Sequence, residues 1–210
     1  MSSINNIKLT ERYKKFYSEE ALKLQVPSKT LYEYITEGAK GYKNVTALNY
    51  FDRKISYRNL VKNIDAAADA YKAMGVKKGD VVTLVMPTLP ETIYSIYGVN
   101  KIGAVVQPID PRTPAKMIKD AINEAESNLV VIVDSYHQKI DEIMDEINID
   151  KIIAVSPADS LPLLLNIGYK KREEKDFESG ISQPIPDNGK YLKWHDFIKQ
   201  GRGTKAEKVA

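Results

Sequence analysis

The sequence predicts an α/β fold: a largely parallel sheet with helices on both faces, preceded by a β-hairpin. Three observations predict it. Apolar, β-rich runs begin near residues 81, 104, 129 and 151. Between them lie stretches whose apolar residues recur every three or four positions, as on one face of a helix. The strand starts are 23, 25 and 22 residues apart, which suits successive strand–helix–strand steps. Right-handed crossovers then place helices on the sheet faces.

A chain of 210 residues can bury roughly 70% of its extended surface, enough for a sizeable core. Hydrophobic residues are 43% and charged residues 28%, ordinary for a soluble protein. Lys and Arg number 31 against 28 Asp and Glu, a net charge of +3. A nucleic-acid binder concentrates its cations in one patch; here they alternate with acids, so no nucleic-acid partner is expected. Cysteine is absent, which excludes disulfides, thiolate metal sites and thiol catalysis within the chain. No run approaches the length of a bilayer span. The opening MSSINNIKLT lacks the apolar centre of a signal peptide, and a cytoplasmic location is expected. The 13 tyrosines are dispersed, and no base-stacking platform follows from their number.

In order, Thr10 caps a first predicted helix to about Leu24. Ser28 or Thr30 starts a second, with Leu31, Tyr34 and Ile35 as its contacts. The stretch VTALNYFDRKISY (45–57) reads as a hairpin turning at Asp52, Arg53 and Lys54; Asp52 and Arg53 are turn residues, not a catalytic pair. Ser56 caps a long helix to about Met74, with Leu60, Val61, Ile64, Ala67, Ala68 and Tyr71 on one face. Gly75 stops it. The strand 81–86 leads to a helix reaching Lys101, for which Thr88 and Glu91 have capping-box spacing and Pro90 lies in the first turn. The strand 104–107 is followed by a connection over 108–113. Pro114 then opens a helix burying Met117, Ile118, Ala121, Ile122 and Ala125. After the strand 129–133, a helix is expected over 137–147 and a strand over 151–155. Beyond Ser156 regularity stops. Leu161, Leu163, Leu164 and Leu165 are expected to pack beneath a loop or short helix, and 191–200 reads as a short helix packing Leu192, Trp194, Phe197 and Ile198.

Candidate chemical residues are sparse. Pro87 and Thr88 precede free helix amides that suit an anion, but the capping-box spacing already accounts for Thr88 and Glu91. Asp110 and Asp134 end strands, where acids orient substrates or magnesium; neither has a second carboxylate at diagnostic spacing, and a turn or capping role suffices. His137 and His195 share no motif. His195 and Asp196 are adjacent, and neighbouring helical residues point in different directions. GRGTK (201–205) looks like a phosphate loop but does not join a strand to a helix. No GxGxxG, GxxxxGK[ST] or GxSxG pattern occurs. No catalytic, cofactor-binding or metal residue is assigned.

Three segments, taken together, resemble the start of an adenylate-forming enzyme of the AMP-dependent acyl-CoA synthetase family. ISYRNL (55–60) resembles its early hydroxyl–Tyr–x–x–Leu motif. GVKKGDVVTLVMPTLPE (75–91) is similar to its Gly-Val-x-x-Gly-Asp segment with the following strand and proline turn. KIGAVVQPIDP (101–111) resembles the next Gly-Ala strand with its Pro-x-Asp ending. The likeness covers about residues 30–155. It implies the N-terminal subdomain of an enzyme that adenylates a carboxylic acid with ATP and magnesium, then forms a thioester with coenzyme A.

The pattern departs from the family in what is missing. The family's Ser/Thr/Gly-rich phosphate loop ending Pro-Lys-Gly does not occur, nor do the metal-associated acid, the ribose-binding acid, the hinge or the catalytic lysine. The expectation is therefore an N-terminal portion of an acyl-CoA ligase, for a medium or long aliphatic acid, inactive alone and binding none of ATP, magnesium or coenzyme A tightly. Its partners would be the acid and coenzyme A for the parent enzyme and the downstream domains of the same protein. Uncovered apolar faces would favour self-association. Two alternatives stay open: part of an adenylation domain that loads a carrier protein, and a noncatalytic assembly or regulatory module of the same fold. An unrelated nucleotide-binding α/β protein fits the three segments less well. The expected organisation is a helical segment over 1–44 packing on the body, an α/β core with its hairpin over 45–155, an irregular connection and short helix of the same domain over 156–200, and a flexible or truncated end over 201–210.

Overall fold

The computed structural model describes residues 14–25 and 28–209. A two-stranded antiparallel hairpin, β1 (Thr46–Tyr50) and β2 (Arg53–Ser56), precedes a five-stranded sheet. The sheet contains β3 (Val81–Val85), β4 (Val105–Ile109), β5 (Leu129–Val133), β6 (Lys151–Val155) and β7 (Tyr191–Lys193), in the order β4-β3-β5-β6-β7. Every pairing in it is parallel. Side-chain alternation explains the two layers. Leu129, Val131 and Val133 of β5 enter one apolar cluster, while Val130 and Ile132 enter the other. All five residues of β5 are buried, each contributing about 1.5–3 kcal/mol on full burial. A sheet buried on both faces reads as a continuous apolar run for this reason.

The helices are α1 (Glu19–Lys23), α2 (Leu31–Gly38), α3 (Tyr57–Ala73), α4 (Pro90–Lys101), α5 (Ala115–Glu124), α6 (Gln138–Asp141), α7 (Leu163–Glu178) and α8 (Trp194–Gln200). Thr30 caps α2 in a capping box with Glu33. The helix is tied to the body by Asn100 Oδ1, which accepts from the Tyr32 amide at 2.9 Å, and by the Tyr32 hydroxyl, which donates to Asp65 at 2.7 Å. Ser56 caps α3, its hydroxyl accepting from the Asn59 amide. Gly75 follows α3 with φ of 88°, a left-handed stop that a Cβ would oppose.

α3 is held on both sides through its alanines. A Cβ on Gly98 of α4 would lie 3.0 Å from the Ala68 amide nitrogen and 3.2 Å from the Ala67 Cβ. A Cβ on Gly201, just after α8, would lie 2.6 Å from the Ala70 nitrogen. Small residues thus let three helix backbones meet. Between them the buried Tyr71 hydroxyl donates to Ser95 Oγ at 2.8 Å, and the Tyr71 ring lies 4.8 Å from that of Phe197.

Several elements differ from expectation. The hairpin turns at Phe51 and Asp52, with φ of 48° and 67°, and Arg53 already pairs with Tyr50 in the ladder; two positive φ values suit the twist of a two-residue turn. Pro108 lies inside β4 rather than in the connection, and the edge position of β4 tolerates its missing donor. Pro114 is the cap of α5, not its first residue, and Met117 is 61% exposed. The helix expected over 137–147 is broken into 3-10 turns around the four-residue α6. The irregular stretch over 156–200 supplies a 16-residue helix, α7, and a fifth strand, β7. Leu163 and Leu164 are 76% and 83% exposed rather than packed. Thr10 lies outside the described residues, and Ser18 caps α1. The closing segment lies against the body: the Ala206 amide donates to Asp69 at 2.8 Å and the Val209 amide to the Lys101 carbonyl at 3.0 Å.

Two identical substitutions should act with opposite sign. Gly201→Ala forces a Cβ into the α3 backbone and should destabilise by about 1–3 kcal/mol. Gly168→Ala in α7 meets no atom within 4 Å and should stabilise by roughly 0.5–1 kcal/mol. Urea unfolding of both variants measures the pair.

Candidate functional site

Ligands of parallel α/β sheets bind beyond the carboxyl ends of the strands. The groups gathered at that edge come from three junctions. After β3 stands Glu91, in the first turn of α4 and only 3% exposed. One carboxylate oxygen accepts from Ser160 Oγ. Its Oε2 is buried with no hydrogen-bond partner. Burial pushes the Glu91 carboxyl above its ordinary range, against the opposing pull of Ser160 and the more distant Arg53, because a carboxylate stripped of water favours its neutral form.

After β5 stands Asp134, half-buried, accepting from the Ser135 amide at 2.7 Å. Burial raises it from 3.8 to about 6, with the Ser156 hydroxyl opposing. After β6, Asp159 accepts from the Ser156 amide at 3.1 Å and is also raised by burial. α7 lies over these acids. Its Tyr169 is pushed up by burial and then by Asp134, and its Glu173 is raised by burial. Beside them a cleft of about 340 Å³ is lined by Arg53, Asn63, Glu91, Tyr94, Trp194, His195 and Arg202, among others. The size is at the small end for ligand pockets. Its walls offer cations, a buried acid and aromatic faces, a setting for a small polar molecule.

The remaining candidates are accounted for locally. The expected capping box of Thr88 and Glu91 is replaced: Leu89 is the cap, and Thr92 Oγ1 accepts from the Leu89 amide and donates to the Pro87 carbonyl. Thr88 is exposed outside the helix. The Thr92 and Ile93 amides donate to the Leu89 carbonyl at 3.1 and 3.3 Å, and they do not form an anion cradle. Asp110 is gripped by the Arg112 guanidinium, 2.6 Å away at the closest, which lowers it to about 2. His137 is buried, its Nδ1 2.8 Å from the Asp134 carbonyl and its ring edge-on to Tyr191. His195 does meet Asp196, at 3.2 Å, but both are exposed. Gly201 packs on α3, so GRGTK includes a packing contact, not a phosphate loop. Among the described residues no group of three or more His, Asp or Glu gathers to hold a metal ion. The tie between Glu91 and Ser160 joins residues 69 apart, and no sequence spacing announces it.

The AMP-binding enzyme family model matches residues 35–193, from α2 to the end of β7. This chain belongs to that family. It is 26% identical over 159 residues to a long-chain-fatty-acid–CoA ligase of Bacillus subtilis, covering 74% of this chain and 28% of that protein. It is 29% identical over 146 residues to an acetyl-coenzyme A synthetase of Deinococcus radiodurans, covering 70% and 21%. The chain therefore spans about a quarter of the length of these relatives. Two solved structures share the fold. One is the coronafacic acid ligase of Pectobacterium brasiliense, with TM-score 0.67 and 19% identity over 87% of this chain and 32% of that one. The other is an anthranilate CoA ligase, with TM-score 0.66 and 16% identity over 88% and 30%. The family's parallel sheet, flanking helices and preceding hairpin are those described above.

Asp134 makes stability pH-dependent. Folding raises its pKa, so the folded state holds the proton more tightly than the unfolded one. The cost is absent below about pH 4, grows as pH rises towards about 6, and reaches about 3 kcal/mol above that. Asp134→Asn should flatten that part of the profile, raising stability at pH 8 relative to pH 4. Guanidinium unfolding at the two pH values measures it; an unchanged difference would contradict the burial effect.

Proposed function

We propose that this chain is the N-terminal scaffold of an AMP-forming carboxylic acid–CoA ligase, working in the cytoplasm on a medium or long aliphatic acid. The observation that carries the reading is the family match across the whole sheet, residues 35–193. The three segments that resemble the acyl-CoA synthetases fall at its structural junctions: 55–60 where β2 meets α3, 75–91 around β3, and 101–111 around β4. The aliphatic preference rests on the Bacillus subtilis relative, a long-chain-fatty-acid–CoA ligase.

Members of this family use ATP, magnesium and coenzyme A. The described residues do not fit the nucleotide or its metal. The turn after β3 is closed by its own side chains, and Asp110 after β4 is committed to Arg112. Among the described residues no group of three or more acids or histidines gathers to hold a cation. Adenylation needs donors aimed at the transferring phosphoryl group, and this part of the fold supplies the platform for such groups rather than the groups themselves.

Purified chain should therefore show no carboxylate-dependent ATP–pyrophosphate exchange with acids from acetate to palmitate. Robust exchange that depends on the added acid would contradict the reading.

A further inference from the structure

The connection between α7 and β7 holds the one asparagine–glycine pair of the sequence, Asn188–Gly189. Every other asparagine precedes a residue with a Cβ. That carbon crowds the approach of the following backbone nitrogen to the asparagine side chain, and glycine removes the obstacle. Asn188, Gly189 and their neighbours Asp187 and Lys190 are all exposed, so water reaches the pair. By contrast Asn100, Asn123 and Asn166 lie within helices and spend their side chains on backbone groups.

The turn is held in a reactive arrangement. Asn188 Oδ1 accepts from the Lys190 amide at 3.0 Å, an Asx turn. A side-chain oxygen that reaches the amide two residues on folds the Asn188 side-chain carbonyl carbon back over the Gly189 nitrogen between them. The same hydrogen bond draws electron density from that carbon. Gly189 has φ of 72°, which glycine adopts without steric cost. Its own amide donates to no group among the described residues, so its proton is open to hydroxide. Lys151 Nζ donates to the Gly189 carbonyl, and Lys190 Nζ donates to the Ile149 carbonyl at 2.9 Å. Two ammonium groups thus fix the turn. The Lys151 ammonium also favours the anion formed when the Gly189 amide loses its proton, as a nearby opposite charge does.

We propose that Asn188 is a site of spontaneous deamidation, and that its isoaspartyl product loosens β7 from β6. Hydroxide takes the Gly189 amide proton, and the nitrogen bonds to the Asn188 side-chain carbonyl carbon. The bond from that carbon to the side-chain nitrogen breaks. The nitrogen leaves as ammonia with a proton from water, which regenerates hydroxide, and a cyclic succinimide remains. Water then opens either ring carbonyl, giving aspartate or isoaspartate; nothing is oxidised or reduced. Isoaspartate carries the chain through the side-chain methylene and so adds one carbon to the backbone. The added carbon falls just ahead of the Lys190 carbonyl, which accepts from the Ile152 amide at 3.0 Å, and of the pairing of Tyr191 with Ile152. β7 is an edge strand of three residues, too short to absorb a shift of its entry point. The inference goes beyond the ligase reading and does not rest on it.

Peptide mapping of the native 210-residue chain during incubation at neutral and mildly alkaline pH tests it. Trypsin releases residues 176–190 as one peptide, between Lys175 and the bond after Lys190. Amide-to-acid conversion should appear there, split into aspartyl and isoaspartyl peaks, at a rate that rises with hydroxide concentration. The native rate should equal or exceed that of the chain held unfolded in urea. Lys151→Met, at an exposed position, should slow the native reaction about threefold or more. The β7 amides of the isoaspartyl fraction should exchange hydrogen faster than those of Asn188→Asp, which has the new charge without the extra carbon. Four outcomes overturn the proposal: no conversion at Asn188 in the native chain, a native rate below the unfolded one, an equal rate in Lys151→Met, or unchanged β7 exchange in the isoaspartyl fraction.

Discussion

The close approach of α4 and α8 to α3 is the constraint on which the rest of the structure depends. The alanines at 66, 67, 68 and 70 leave α3 without bulk on the sides that meet Gly98 and Gly201. Dispersion gains depend on contact distance, so backbones at this separation pack densely. The buried hydroxyl pair of Tyr71 and Ser95 fits between them. This layer covers one face of the sheet and places the first turn of α4 beside the junction after β6. The tie from Glu91 to Ser160 follows from that placement.

The carboxyl edge of the sheet is polar yet largely committed to itself. Asp110 is spent on Arg112, Asp134 on Ser135 and Ser156, and Glu91 on Ser160. Burial raises three acids there, Glu91, Asp134 and Asp159. Such shifts are common at functional sites but also arise in structural networks. Here hydrogen bonds hold the acids in place, and no metal-binding group forms among the described residues. The edge is a polar surface whose acids are mostly bonded within it. In the ligase reading, reacting groups would stand on it.

The fold was legible because its signals are local. Continuous apolar runs such as 129–133 mark strands buried on both faces, and Ser56 and Gly75 bound α3 as their chemistry requires. The family resemblance was legible for the same reason, since its segments sit at strand–helix junctions. The capping of α4 was misread because Thr88 with Glu91 and Leu89 with Thr92 both have the right spacing, and only tertiary burial of Glu91 decides between them. β7 was missed because three residues carry little periodicity; its pairing with β6 makes it a strand. α7 was missed because its apolar residues face outward, so the amphipathic pattern of a core-facing helix is absent. The contact between Glu91 and Ser160 spans most of the sheet and has no local trace.

Native-state hydrogen exchange with and without Mg-ATP tests the central claim, a self-supporting sheet that carries no nucleotide site. Amides of β3 and β5, paired on both sides, should be the slowest to exchange. Adding Mg-ATP should leave every amide rate unchanged. Slowed exchange at the turns after β3 or β4 on adding Mg-ATP would contradict the claim.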